Sequence, residues 1–216
     1  MRPTVFGAMD GLVSNASLII GVGGGGVSAH AIVLTGLAGL AAGSFSMAAG
    51  EYISVTSQNE LVQAEVALER DMHARYPVAE RDELAQTLAR YGLDPELAAR
   101  AAVEISAHPR TALRLHTREE LGVDAEALPS AWTAAGASLV SFAAGAVLPL
   151  LPYLLGARTL TVSLILFVVA LFAGGAIVAQ LTGRPRYLGG GRQLLLGVVA
   201  AAVTFGIGHL IGTSTG

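Results

Sequence analysis

Asp10 and Glu51 are the two acids that this chain places among apolar residues, and any chemistry in those stretches begins with them. Asp10 lies in Asp10-Gly-Leu-Val-Ser14-Asn15-Ala-Ser17, where helical spacing sets Asp10, Ser14 and Ser17 on one face. Glu51 lies in the stretch Gly43–Gln58, where Ser44, Met47, Glu51, Ser54 or Val55, and Gln58 share another face. A carboxylate in hydrocarbon costs about 2.5–3.5 kcal/mol on insertion scales, which makes an intramembrane acid a functional suspect. Two carboxylates with nearby hydroxyls, the Asn15 amide and the Met47 thioether suit a divalent first-row metal. Oxygen ligands alone suit Mg²⁺ or Ca²⁺, and added sulfur tilts the preference toward Fe²⁺ and similar ions. The alternative is that both acids are ordinary solvated helix-end charges. Residue types alone leave these two readings open.

The elements that must position these residues are apolar segments. The chain has 216 residues, 53% hydrophobic and only 13% charged, against about 25% charged in an average soluble domain. Of its 16 acids, only Asp10 and Glu51 fall outside residues 57–131, and eight of its 13 arginines fall inside. Apolar ends therefore flank a polar middle. Crossing a bilayer takes about 20 residues, and five segments qualify: about 5–25, 31–55, 131–155, 158–182 and 191–212. Asp10 interrupts what would be a signal-peptide core, so the first is read as a retained membrane helix. The glycine run from Gly21 to Gly26 reads as a flexible turn, and Pro149 and Pro152 read as a break near the end of the third helix. With five crossings, twelve arginines lie on one side and Arg158 alone on the other. The positive-inside rule then puts the N-terminus and the polar middle in the cytoplasm and the C-terminus outside. Cysteine is absent, which excludes disulfides, thiolate zinc sites and a cysteine nucleophile. A net charge of −3 gives no reason to expect nucleic acid.

The expected fold is all-α: a multi-pass membrane protein with five transmembrane helices and a cytoplasmic helical domain between the second and third. Its expected divisions are residues 1–56, 57–130 and 131–216. Within the middle, the second helix continues to about Arg75, where Pro77 stops it. A helix follows from about Val78 to Tyr91, with Gly92 suited to its cap. Asp94-Pro95-Glu96 combines an N-cap, a first-turn proline and a first-turn acid for a helix to about Ala107. A last helix runs from about Thr111 to Leu121 and ends at Gly122.

Met-Asp-Gly-Leu-Val-Ser-Asn at 9–15 and Ser-Met-Ala-Ala-Gly-Glu-Tyr-Ile-Ser-Val-Thr-Ser-Gln at 46–58 resemble the signature of the vacuolar iron transporter family. Pro-Leu-Leu-Pro-Tyr at 149–153 is similar to that family's third helix. The resemblance covers essentially the whole chain. It implies a homodimer that moves Fe²⁺, and often Mn²⁺, out of the cytosol in exchange for protons, through a path at the dimer interface. By motif position Asp10 and Met47 match the family's membrane ion pathway, with Ser14 and Asn15 beside them and Glu51 as the acid of the same motif. The family's cytoplasmic domain carries clustered glutamates, sometimes with methionine, that bind metal before translocation. The corresponding candidates here are Glu65, Glu69, Met72 and His73 on one helix face, Glu80 and Glu83, and Glu104 with His108. Singly, each glutamate reads as a solvated helix face; Glu65 and Glu69 together read as ligands.

No permanent cofactor is implied, and Fe²⁺ or Mn²⁺ is the expected substrate, with Co²⁺ and Zn²⁺ acceptable to the same ligand chemistry. Protons, the lipid bilayer and a second copy of the chain are the expected partners. The short all-arginine chain points to a bacterial plasma membrane. A ferroxidase or iron store would use Glu-x-x-His pairs, yet none of the five histidines has a glutamate three residues before it. A metal sensor without transport would leave the intramembrane acids without a role. His30, His209 and Gln180 read as interfacial or packing residues.

Overall fold

The computed structural model describes residues 2–122, 124 and 127–215. Eight helices and no strand occur among them: α1 (Arg2–Gly24), α2 (Ala29–Arg75), α3 (Pro77–Arg90), α4 (Pro95–Ser106), α5 (Pro109–Leu121), α6 (Ala131–Leu154), α7 (Leu160–Leu181) and α8 (Arg186–Thr215). Five of these, α1, α2, α6, α7 and α8, are long and apolar enough to cross a membrane. The all-α, five-span expectation therefore holds. In the 47-residue α2 only the first part is continuously apolar. Glu60, Glu65, Glu69, Arg70, Asp71 and Arg75 make its second half water-compatible, and about 20 residues suffice for the crossing. By contacts the chain divides into two compact units, residues 1–52 with 132–216, and residues 53–131.

The first unit is built from the five apolar helices. Leu12, Ala16 and Ile20 of α1 pack with Phe167 and Leu171 of α7 and Ala201 of α8. The four-residue spacing of the α1 set places it on one stripe. Ile19, also on α1, packs with Ile32 of α2 and with Leu150 and Tyr153 of α6. Helix α1 is thus covered from several sides, whereas α7 and α8 turn Val162, Ile165, Val169, Leu195, Leu196 and Val199 outward. Exposed aliphatic faces of this kind suit lipid, which rewards them as water does not. Glycine permits the closest approach: a Cβ at Gly145 would collide with the Ala8 carbonyl oxygen, and one at Gly11 with that of Phe142. Small residues let membrane helices meet backbone to backbone in this way.

Two local expectations need correction. Helix α6 is not broken at Pro149 and Pro152 but runs through both to Leu154. Each proline removes one bond to the carbonyl four residues earlier, but both are buried, and packing holds the helix across the losses. The run Gly21–Gly26 is likewise not an open turn. Helix α1 persists to Gly24, and the chain turns at Gly25 and Gly26, the latter at φ +75°. Gly21 and Gly24 face Thr204 and Phe205 of α8, so tertiary contact offsets the roughly 1 kcal/mol that a helical glycine costs.

The second unit is a set of shorter helices following the second half of α2. Pro77 opens α3 rather than merely ending α2, its fixed φ suiting the first helical position. Gly92, at φ +97°, carries the turn into α4. Asp94 caps α4 by accepting from the backbone N–H of Glu96 at 3.0 Å and of Leu97 at 3.4 Å. Gly122 ends α5 in the left-handed conformation. The buried core here is unusual in mixing Leu84, Ala98, Ala102 and Ala112 with Glu80, His116 and Thr117. That mixture marks the site.

Candidate metal centre and membrane cavity

In the second unit, Glu69 and His73 stand one turn apart on α2. Glu80 lies in the first turn of α3, and His116 lies in α5. One donor atom from each comes within 4.8 Å of the other three. His73 Nε2 and His116 Nδ1 each lie 3.3 Å from Glu69 Oε1, and His116 Nδ1 lies 3.7 Å from Glu80 Oε2. The two imidazoles meet edge to face with centroids 4.5 Å apart. Short distances have not produced hydrogen bonds: Glu69 Oε1, His73 Nε2 and His116 Nε2 are all buried without a hydrogen-bond partner. Buried polar atoms are nearly always satisfied in folded proteins. A constellation of two carboxylates and two imidazoles with orphaned donor atoms fits a divalent first-row ion, for which imidazole and carboxylate are accepted ligands.

The electrostatics agree with this chemistry. Burial, followed by the carboxylates of Glu120, Glu80 and Glu83, pushes the Glu69 carboxyl up to about 7. Burial and then the neighbouring His116 lower His73 against the opposing pull of Glu80, and this lowering favours a neutral imidazole able to ligate. Glu120 is raised as well, by burial and then by Glu83. Beside the cluster, a cavity of about 360 Å³ is lined by Glu83, His116, Glu119 and Glu120 among others. Glu119 is held there by the Tyr91 hydroxyl, which donates to it. A cation would relieve the crowding of these acids.

Of the residues expected from sequence, Glu69, His73 and Glu80 enter the cluster, and Glu83 lines the adjoining cavity. Glu65 and Met72 are exposed on α2. Glu104 and His108 are exposed at the end of α4 and the N-cap of α5, and neither belongs to the cluster. Sequence reading missed His116 and Glu120. Their signal was present in His116-Thr-Arg-Glu119-Glu120, an imidazole and an acid at i and i+4 on one helix face.

In the first unit, a second cavity of about 310 Å³ lies between α1, α2 and α6. Asp10, Ser14, Asn15, Ser46 and Met47 contribute its polar and sulfur-bearing wall. The Ser14 hydroxyl donates to Asp10 Oδ1 at 3.0 Å, bonding the two predicted neighbours across one turn. Asn15 is almost completely buried, its Nδ2 donating to the Ala146 carbonyl at 2.7 Å. Glu51 is half-buried one turn beyond Met47 and does not line this cavity. A carboxylate, an amide and a thioether at one cavity form a donor set suited to a divalent cation.

A family model described as the VIT family matches residues 1–209. A vacuolar iron transporter of Acanthamoeba castellanii is 35% identical, over 97% of this chain and 78% of its own length. Vacuolar iron transporter homolog 2 of Arabidopsis thaliana is 34% identical, over 98% and 84% respectively. Vacuolar iron transporter 2 of Oryza sativa subsp. japonica is 27% identical, over 98% and 87%.

Proposed function

Because this chain belongs to the VIT family, we propose that it is a membrane transporter that exports Fe²⁺, Mn²⁺ or both from the cytosol in exchange for protons. The observation that carries the reading is the cavity that Asp10 and Met47 both line among helices long and apolar enough to span a bilayer. An acid in that setting costs too much to be retained idly.

In this reading the cluster of Glu69, His73, Glu80 and His116 captures the ion on the cytoplasmic side. Its imidazoles and carboxylates replace much of the hydration shell, and Glu69 releases its proton as the ion binds. The membrane cavity supplies the next station. Asp10 offers the compensating charge, Ser14 orients one of its oxygens, and Met47 offers a polarisable sulfur. Protonation of membrane carboxylates from the far side would release the cation and complete the exchange. A second copy of the chain would close the open side of the cavity, giving a homodimer with its path between protomers. Residues 57–130 and the N-terminus are assigned to the cytoplasm from the arginine distribution, in a plasma membrane.

The test is flux of Fe²⁺, Mn²⁺, Co²⁺ and Zn²⁺ into proteoliposomes, in competition and with or without a pH gradient. Gradient-dependent uptake of Fe²⁺ or Mn²⁺ is expected, and Asp10→Ala combined with Glu51→Ala should abolish it. Undiminished transport by that double variant would overturn the site assignment.

A further inference from the structure

Asn15 carries an unmet acceptor. Its side chain is 2% exposed, its Nδ2 donates to the Ala146 carbonyl of α6, and its Oδ1 has no hydrogen-bond partner. The bond to Ala146 sets which way the amide points. Turning it over would press Oδ1 against another carbonyl oxygen and lose the donor contact. The oxygen is therefore held toward α2, where it meets Gly39. A Cβ at that glycine would stand 2.7 Å from Oδ1 and 2.6 Å from Leu18 Cδ2. Asn15, Leu18 and Gly39 all line the same cavity as Asp10 and Met47. A buried acceptor left unsatisfied costs about 1–3 kcal/mol, and α2 offers it no donor, because the residue facing it is a glycine.

We propose that Asn15 Oδ1 is a direct ligand of the divalent cation in the membrane cavity, and that Gly39 is the residue that keeps it available. The inference rests on the transport reading of this cavity and adds a named ligand atom to it. An amide oxygen adds coordination without adding charge, so the ion would gain a hard ligand beside the soft Met47 sulfur, with Asp10 supplying the counter-charge at the same cavity. A neutral ligand also lets the ion leave.

The sequence supplies a direct test, because Asn15 and Asn59 are its only asparagines. Asn59 lies outside both sites, its Nδ2 donating to Pro129 O. In the full chain carrying Asn59→Gln and asparagine ¹³C-labelled at the side-chain carbonyl, infrared difference spectra report Asn15 alone. Addition of Mn²⁺ is expected to shift the labelled band to lower wavenumber, saturating with flux. In a second arm, Gly39→Ala crowds the oxygen with a methyl group while the Asn15 residue itself is kept. It should lower flux about tenfold or more while Mn²⁺ binding at the Glu69 cluster is unchanged. A band that stays in place while flux saturates, or full flux in folded Gly39→Ala, overturns the proposal. Absence of flux in the wild type would instead sink the transport reading, and the band would still decide ligation.

Discussion

Metal capture by the Glu69 cluster should depend on pH in a way that the structure sets. The Glu69 carboxyl is pushed up to about 7, chiefly by burial and then by the three neighbouring carboxylates. A cation must displace this proton to reach the oxygen. For one competing proton, the apparent affinity is reduced by about 11-fold at pH 6 and about 1.1-fold at pH 8, a tenfold difference or roughly 1.4 kcal/mol. His73, lowered by burial and by His116, stays neutral at pH 7 and above and adds no opposing proton there. The metal-free protein obeys the same linkage. A carboxyl whose folded pKa lies above its ordinary value of 4.5 contributes stability that is present below pH 4.5 and is lost as pH rises through about 7. The assay is calorimetric titration of the full-length protein in detergent with Mn²⁺ at pH 6, 7 and 8, beside Glu69→Gln. Wild-type affinity should rise by at least tenfold across this range, since imidazole protonation toward pH 6 only adds to the slope, and the variant should lose about tenfold of that rise. Equal affinities at pH 6 and pH 8, or an unchanged slope in Glu69→Gln, would refute the reasoning.

Two further outcomes follow from the packing. His116→Ala removes a buried donor of the cluster and should weaken Mn²⁺ binding about tenfold or more, whereas Glu104→Gln and His108→Ala, exposed and outside it, should stay within about twofold in the same titration. Gly145→Val should destabilise the membrane unit by about 1–3 kcal/mol or more, because its Cβ meets the Ala8 backbone rather than a yielding side chain. Thermal unfolding in detergent reads this as a lowered midpoint or loss of monodisperse protein. Melting like the wild type would show that α1 and α6 are less closely apposed.

Much of the fold was legible because its causes are local. Apolar runs of membrane length, a polar middle confined to 57–131, Asp94-Pro95 at a helix start and Gly122 at a helix end each act within a few residues. Hydrocarbon solvent and unpaired helix-end amides impose these patterns whatever the rest of the chain does. The prolines of α6 and the glycines of α1 were misread for the same reason. Their intrinsic preference is local, but burial against neighbouring helices overrides it.

The sequence by itself determined which helices form, and it singled out Asp10, Met47 and the acidic face of α2. Only the tertiary structure decided which donors converge. Glu69 and His73 share a helix turn, so periodicity could pair them, but Glu80 and His116 come from α3 and α5. No spacing rule joins residues 47 positions apart; the turns at Tyr76, Gly92 and His108 and the packing of Leu84, Ala98, Ala102 and Ala112 do that. The same holds for Asn15, whose role depends on a carbonyl 131 residues away on α6 and a missing side chain on α2. Chemistry-bearing residues are chosen by type. Their partners are chosen by distance, and distance belongs to the folded chain.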